Sequence, residues 1–150
     1  MKTSEKGIAL IKKYEGFESR PYLDAVGVPT IGFGATHYAN GTKVRMSDKS
    51  ITETVASELL VKMLVGYENT VKMLVQKPLN QNQFDALVSF VYNLGGVNLS
   101  KSTLLKKINI DPNDKTIAAE FMRWVNAGGR PLKGLVRRRE EESKLYFSKI

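Results

Sequence analysis

Near the N-terminus, Ile8, Leu10, Ile11 and Tyr14 fall on one side at helical spacing, which predicts a helix from about Thr3 to Glu15 with Gly16 placed to end it. The pattern then changes. Pro21-Tyr22-Leu23-Asp24, Ala25-Val26-Gly27-Val28 and Pro29-Thr30-Ile31-Gly32-Phe33-Gly34 set β-branched and aromatic residues around a glycine-containing turn. That is a short hairpin, with proline confined to strand edges or starts. Thr42-Lys43-Val44 is the candidate third strand of a small sheet, and strands so rich in glycine need helices behind them.

From Ser50 the period is helical almost to the end. Ser50 and Glu53 stand at capping-box spacing, and Val55, Leu59 and Met63 follow at four-residue steps. The clearest helix follows Asn80: Asn80 and Gln83 form a capping pair, and Phe84, Leu87, Val88, Val91 and Tyr92 make a buried stripe, so this is the expected central core helix. Asn93-Leu94-Gly95-Gly96 stops it. Ser102 to Ile108 reads as a short helix; Ile117, Phe121, Trp124 and Val125 mark another, broken by Gly128-Gly129-Arg130-Pro131, and the last helix runs from about Leu135 to Phe147. Tyr92 and Trp124 sit on apolar stripes, which favours core packing over sugar stacking. The fold class is α+β and predominantly helical. One domain over residues 1–150 is expected, with a small β-lobe at about 16–50 and a helical lobe at about 51–150 that includes the N-terminal helix; the cleft between such lobes is where a ligand would bind.

Composition narrows the chemistry. A chain of 150 residues with 42% hydrophobic and 25% charged residues is long enough for one buried core and shows no bias toward disorder. The absence of cysteine excludes disulfides, thiolate zinc sites and a cysteine nucleophile. The single histidine, His37, excludes multi-histidine metal sites and, unless that ring is the base, Ser-His-Asp hydrolysis. Its Gly-, Thr- and Asn-rich surroundings suit a solvated loop. The apolar patch Ile8 to Ile11 is too short for a signal peptide or a membrane span, so synthesis in the cytoplasm, without stable membrane insertion, is expected. A net charge of +8 implies attraction to a polyanion: nucleic acid, acidic lipid or an anionic cell envelope. Arg137-Arg138-Arg139 is followed by Glu140-Glu141-Glu142, a block expected to form ion pairs on a helix surface.

The remaining chemistry belongs to carboxylates, hydroxyls and amides. Glycoside hydrolysis needs little else: one carboxylic acid protonates the leaving oxygen while a second group activates water or attacks the sugar. Glu53 reads as a cap, Glu58 and Glu68 as residues of polar helix faces, and Glu140 to Glu142 as surface charge. Glu15 and Asp24 stand apart. Glu15 ends the first helix between Tyr14 and Phe17, where aromatic burial and the negative end of the helix dipole disfavour ionisation, as a general acid requires. Asp24 lies beside a turn, a wetter place for a charged carboxylate. Taken singly, a helix-terminal glutamate paired with a basic residue and a turn aspartate bonded to its own backbone are the commoner arrangements.

Together with their surroundings the two carboxylates read differently. Tyr14-Glu15-Gly16, Tyr22-Leu23-Asp24 and Pro29-Thr30-Ile31-Gly32-Phe33-Gly34 resemble the active-site region of phage-type lysozymes, glycoside hydrolase family 24. Ser50 to Leu60, Asn80 to Gly95, Ser102-Thr103-Leu104-Leu105 and Gly134-Leu135-Val136-Arg137-Arg138-Arg139-Glu140 extend the likeness, in order, over nearly the whole chain. The resemblance implies a two-lobed lysozyme-like fold that cuts the β-1,4 bond between N-acetylmuramic acid and N-acetylglucosamine in peptidoglycan, with no cofactor and no metal. It assigns Glu15 as general acid, and Asp24 and Thr30 as holders of the attacking water, with inversion at the anomeric carbon. Thr30 has a hydroxyl able to accept from that water and donate to a carboxylate, and is otherwise a plain strand former. Gly32 and Gly34 would leave room for a sugar against the strand backbone, or serve sheet geometry alone. Asn93 matches a substrate-contacting position, although an asparagine before Gly-Gly is also an ordinary helix stop. Many relatives have histidine where this chain has Ala35, a change that bears on local stability rather than chemistry. The implied partner is bacterial peptidoglycan met by a monomer, reached after release through a holin-type lesion and lysing the host cell. A lytic transglycosylase would cut the same bond without water, and a basic nucleic-acid-binding module would be no enzyme; the clustered basic helix that the latter needs is not evident.

Overall fold

The computed structural model describes residues 1–150 as seven helices and two two-stranded antiparallel sheets. The chain forms two units: a larger one of Met1–Ile11 with Gly66–Ile150, and a smaller one of Lys12–Val65.

The larger unit is organised by α3 (Gln81–Leu94), which carries the predicted capping box. Asn80 accepts the Gln83 amide at 2.8 Å, the Gln83 side chain accepts the Asn80 amide at 3.0 Å, and every residue from Asn82 to Val91 is buried. Around it lie α4 (Gly96–Lys101), α5 (Thr103–Ile110), α6 (Ile117–Phe121) and α7 (Lys133–Tyr146). Phe90 meets Phe121 and Trp124 edge-on at 5.9 and 5.8 Å, and Phe121 meets Tyr146 at 5.7 Å, so one aromatic seam joins α3, α6 and α7. Gly95 stops α3 as expected, yet Gly96 at once begins α4. Helix α6 ends at Phe121, leaving Trp124 and Val125 outside it. The Gly128-Gly129 break is the turn of a second hairpin: both glycines have positive φ, and β3 (Asn126–Ala127) pairs with β4 (Arg130–Pro131).

Charged residues correct the reading of two segments. Arg138, Arg139 and Glu142 are not surface groups but are buried in α7. Glu142 binds Arg138 at 3.3 Å and Arg139 at 2.9 Å, and accepts the Ser89 hydroxyl at 2.6 Å. Burial draws the Arg139 guanidinium down to about 10 against the pull of Glu142, so it stays charged at neutrality. The arginine-then-glutamate block predicts ion pairs on a helix surface; the pairs form, but packing of α7 against α3 turns part of the run inward. Glu68 likewise faces inward from its helix, α2 (Glu53–Leu74), where it accepts the amide and hydroxyl of Thr3 at 2.8 and 2.6 Å. The neighbouring Ser4 is held through its amide and hydroxyl by Asp85, and α1 (Glu5–Glu15) begins directly after it.

In the smaller unit, β1 (Glu18–Leu23) pairs with β2 (Pro29–Gly32) as the predicted hairpin. Glu18 opposes Gly32, but Tyr22 opposes Thr30, so the register slips across Pro21, which has no N–H to give to a ladder. The third strand is absent as such. Thr42-Lys43-Val44 makes the isolated His37–Lys43 bridge, with the Tyr38 amide on the Thr42 carbonyl at 2.8 Å and the Val44 amide on the Thr36 carbonyl at 2.9 Å, because a tight turn at Tyr38–Thr42 leaves no length for a ladder. Val44 still joins Ile31, Ala35 and Leu59 in a small core flanked by Tyr38, Ile51 and Met63. Tyr38 donates to Asp48 at 2.7 Å, and burial with that bond pushes its phenol up to about 12. Helix α2 is capped by Thr52, whose hydroxyl accepts the Val55 amide at 3.2 Å, and not by Ser50. The Ile51 amide bonds to Ser19 of β1, which holds the chain extended until after that point. The helix buries Ala56, Leu59, Leu60 and Leu64, while Val55 remains exposed.

Two features of this fold are open to direct measurement. Glu142→Ala leaves two buried guanidiniums without their anion and is expected to destabilise the protein by about 3–5 kcal/mol in denaturant unfolding, against within about 0.5 kcal/mol for exposed Glu140→Ala. Gly32 has φ +69°, and a Cβ there would lie 3.1 Å from the Ala56 Cβ. Gly32→Ala is therefore expected to cost about 2 kcal/mol from left-handed backbone and contact combined, read as a lowered thermal midpoint.

Candidate active site

Glu15 is the last residue of α1, and Gly16 ends the helix with φ +72° and its amide on the Lys12 carbonyl at 2.9 Å. This turn fixes where the Glu15 side chain leaves the helix. Lys12, one turn earlier, donates to Ser57 at 2.7 Å and lies 5.2 Å over the Phe33 ring, and Phe33 in turn packs on Phe17 at 5.6 Å. The carboxylate end of α1 is thereby pinned to α2 and to the loop after β2. Glu15 itself is half-buried.

Asp24 follows β1 and closes the hairpin. Its backbone amide donates to Val28 at 3.0 Å, and its Oδ1 accepts the amides of both Val26 and Val28 at 2.9 Å. The turn arrangement anticipated for an ordinary aspartate is therefore real, and it spends one carboxylate oxygen only. Oδ2 carries no bond from the protein, and Asp24 is half-buried. Thr30, one register step inside the turn, is buried, and its hydroxyl donates to the Val28 carbonyl at 2.8 Å. Its proton does not go to a carboxylate, so Thr30 presents lone pairs to anything bound beside it.

Tyr22 links these groups. It pairs across the hairpin with Thr30, and period-two alternation sets it on the face that Asp24 continues. Its phenol is pushed up first by burial and then by the negative charges of Glu15, Glu18 and Asp24, in that order, so both candidate carboxylates act on one hydroxyl. Composition points to carboxylates and not to Tyr22, whose signal in the sequence is its two-residue spacing from Asp24. Gly34 lies beyond the end of β2, in the turn closed by reciprocal bonds between Ile31 and Ala35 at 2.8 and 2.9 Å, with φ +95°. The absent side chain of Gly32 faces Ala56 and Ile51, so glycine is needed there for packing. Asn93 belongs to the larger unit; its Oδ1 accepts Arg139 at 2.6 Å, leaving its amide nitrogen as donor. His37 is an exposed loop residue whose Nδ1 lies 3.0 Å from the Thr36 hydroxyl. No three His, Cys, Asp or Glu side chains gather as a metal site.

Similarity to known proteins shows the family. The phage lysozyme family profile matches residues 12–142. The endolysin of Salmonella phage P22 is 40% identical over 148 residues, covering 99% of both chains. The crystal structure of a mutant P22 lysozyme superposes with a TM-score of 0.88 at 38% identity and 99% coverage of each chain. The muramidase domain of SpmX from Asticaccaulis excentricus superposes at 0.81 with 33% identity, again over 99% of each. With nearly its whole length matched and these carboxylates carried on a helix end and a hairpin, the chain belongs to the phage lysozyme family and is a lysozyme-type glycoside hydrolase.

Proposed function

We propose that the protein hydrolyses the β-1,4 bond between N-acetylmuramic acid and N-acetylglucosamine in bacterial peptidoglycan, with Glu15 as general acid and Asp24 and Thr30 holding the attacking water. The observation that carries this is the state of the two hairpin oxygens. Asp24 Oδ1 is saturated by two amides while Oδ2 is uncommitted, and the Thr30 hydroxyl spends its proton on Val28. Two acceptors therefore stand ready for the two protons of one water, which leaves a water lone pair free to attack carbon. Glu15 supplies the proton to the leaving oxygen, and Asp24 takes the one that the water gives up. Attack opposite the leaving group inverts the anomeric centre. A transglycosylase has no use for a water held in this way.

In the same proposal Gly34 contacts the glycan through its backbone and Asn93 through its amide nitrogen. The chain works as one monomeric lysozyme domain, synthesised in the cytoplasm, which reaches the wall through a holin-type lesion and causes host lysis. The charge of +8 draws the enzyme to the phosphates and carboxylates of the envelope. No helix is long and apolar enough to cross a membrane.

Turbidity clearing of peptidoglycan is expected to fall by on the order of a hundredfold or more in Glu15→Gln and in Asp24→Asn, both folded by circular dichroism. Products of the wild type should carry a reducing end of inverted configuration and no anhydro sugar. Clearing retained in both variants, or anhydro products, would remove this mechanism. Clearing should also slow as salt is raised past physiological strength, where the Debye length shrinks to about 8 Å and below; rates indifferent to salt would count against electrostatic capture.

A further inference from the structure

The side chains at the turn of the hairpin offer acceptors more than donors. Ionised Glu18 and Asp24 accept only, the Thr30 hydroxyl is committed to Val28, and the amides of Val26 and Val28 are committed to Asp24. Glu15 has one proton when un-ionised, and the reaction uses it on the leaving oxygen. Besides the exposed Arg20 guanidinium of β1, one half-buried donor is left over here: the Tyr22 hydroxyl, for which the protein supplies no hydrogen-bond acceptor. Tyr38 in the same unit shows the contrast, its hydroxyl being satisfied by Asp48 at 2.7 Å. Burial first, and then the charges of Glu15, Glu18 and Asp24, push the Tyr22 phenol above its ordinary range, so that at neutral pH it is protonated and a donor.

A peptidoglycan strand brings a matching need. Its hydroxyls donate as well as accept and find partners among carboxylates, but an N-acetyl carbonyl only accepts. Bound against the turn, where the half-buried side chains of Asp24 and Thr30 accept, that carbonyl would lose its water without replacement unless a donor meets it. From this balance, and resting on the lysozyme reading above, we propose that Tyr22 is a further substrate-binding residue of the site, its hydroxyl donating to an N-acetyl carbonyl oxygen of the bound glycan. The bond selects for N-acetylated strands. The place of Tyr22 opposite Thr30, and two residues before Asp24, sets the contacted sugar beside the scissile bond.

The test compares the full-length wild type, Tyr22→Phe and Tyr22→Leu on soluble N-acetylated peptidoglycan fragments and on the same fragments chemically de-N-acetylated. Tyr22→Phe keeps the ring and removes the donor. It is expected to lose roughly tenfold in kcat/KM on acetylated fragments, the worth of one such bond, and less than about twofold on de-N-acetylated ones. An unchanged kcat/KM for Tyr22→Phe on acetylated fragments overturns the proposal, as does an equal loss on both substrates. Full activity in Tyr22→Phe with loss in Tyr22→Leu assigns the effect to the ring and also overturns it. Glu15→Gln in the same assay separates the two claims: activity retained there overturns the mechanism itself, whereas its loss beside an unaffected Tyr22→Phe overturns only the role of Tyr22.

Discussion

The Asp24 carboxylate, by accepting the amides of Val26 and Val28, closes the hairpin on which the candidate site depends. Two bonds to one oxygen fix the turn and so fix which residues face each other across it. A slip of one residue would turn every side chain of a strand to the opposite face. With the turn closed as it is, Tyr22 opposes Thr30, the Thr30 hydroxyl reaches the Val28 carbonyl, and the second Asp24 oxygen is left over. The residue assigned to chemistry is thus also the residue that shapes its own surroundings. This explains why the ordinary turn reading of Asp24 and the catalytic one are not rivals: a carboxylate has two oxygens, and each reading uses one.

Glycines and a proline permit this arrangement locally. Pro21 cannot donate to the ladder, and the register slips there, between Glu18 and Tyr22. Gly16 ends α1 so that Glu15 is its last residue, and Gly32 lets the second strand approach α2 so closely that a Cβ there would lie 3.1 Å from that of Ala56. The small core of Ile31, Ala35, Val44 and Leu59 then holds the strands from behind, compensating for a sheet of only two.

Elsewhere, buried polar groups define the packing of the larger unit. Glu142 with Arg138, Arg139 and Ser89, Glu68 with Thr3, and Asp85 with Ser4 each set a charge away from water against polar partners, although Arg139 Nη1 is left without a hydrogen bond. Such clusters contribute little net stability compared with apolar packing, but an incorrect alignment of α7 on α3 would strand a buried charge. Arg139 also reaches Asn93, so the same cluster fixes which end of that amide is left for other partners.

The sequence by itself determined the local elements: the helix ending at Glu15, the hairpin around Asp24, the capping box at Asn80 and Gln83, and the stop at Gly95. These rest on short-range physics, namely side-chain period, glycine's access to positive φ, and caps whose partners lie three residues away. The assignment of Glu15 and Asp24 to one site rests on resemblance, because nothing in the spacing of two carboxylates says whether they share a face. Tertiary structure alone decided the rest. It decided that Arg138 and Arg139 turn inward while Arg137 stays exposed, since ion-pair spacing along a helix does not say which side meets a neighbour. It decided that Glu68 is a buried anchor, that Thr52 and not Ser50 caps α2, and that Thr42 to Val44 forms a bridge rather than a strand. Each of these outcomes depends on groups far along the chain: Glu68 on Thr3, the extended segment before α2 on the Ser19 carbonyl, and the two buried arginines on helix α3. Such partners leave no periodic trace in the sequence, and only folding brings them within bonding distance.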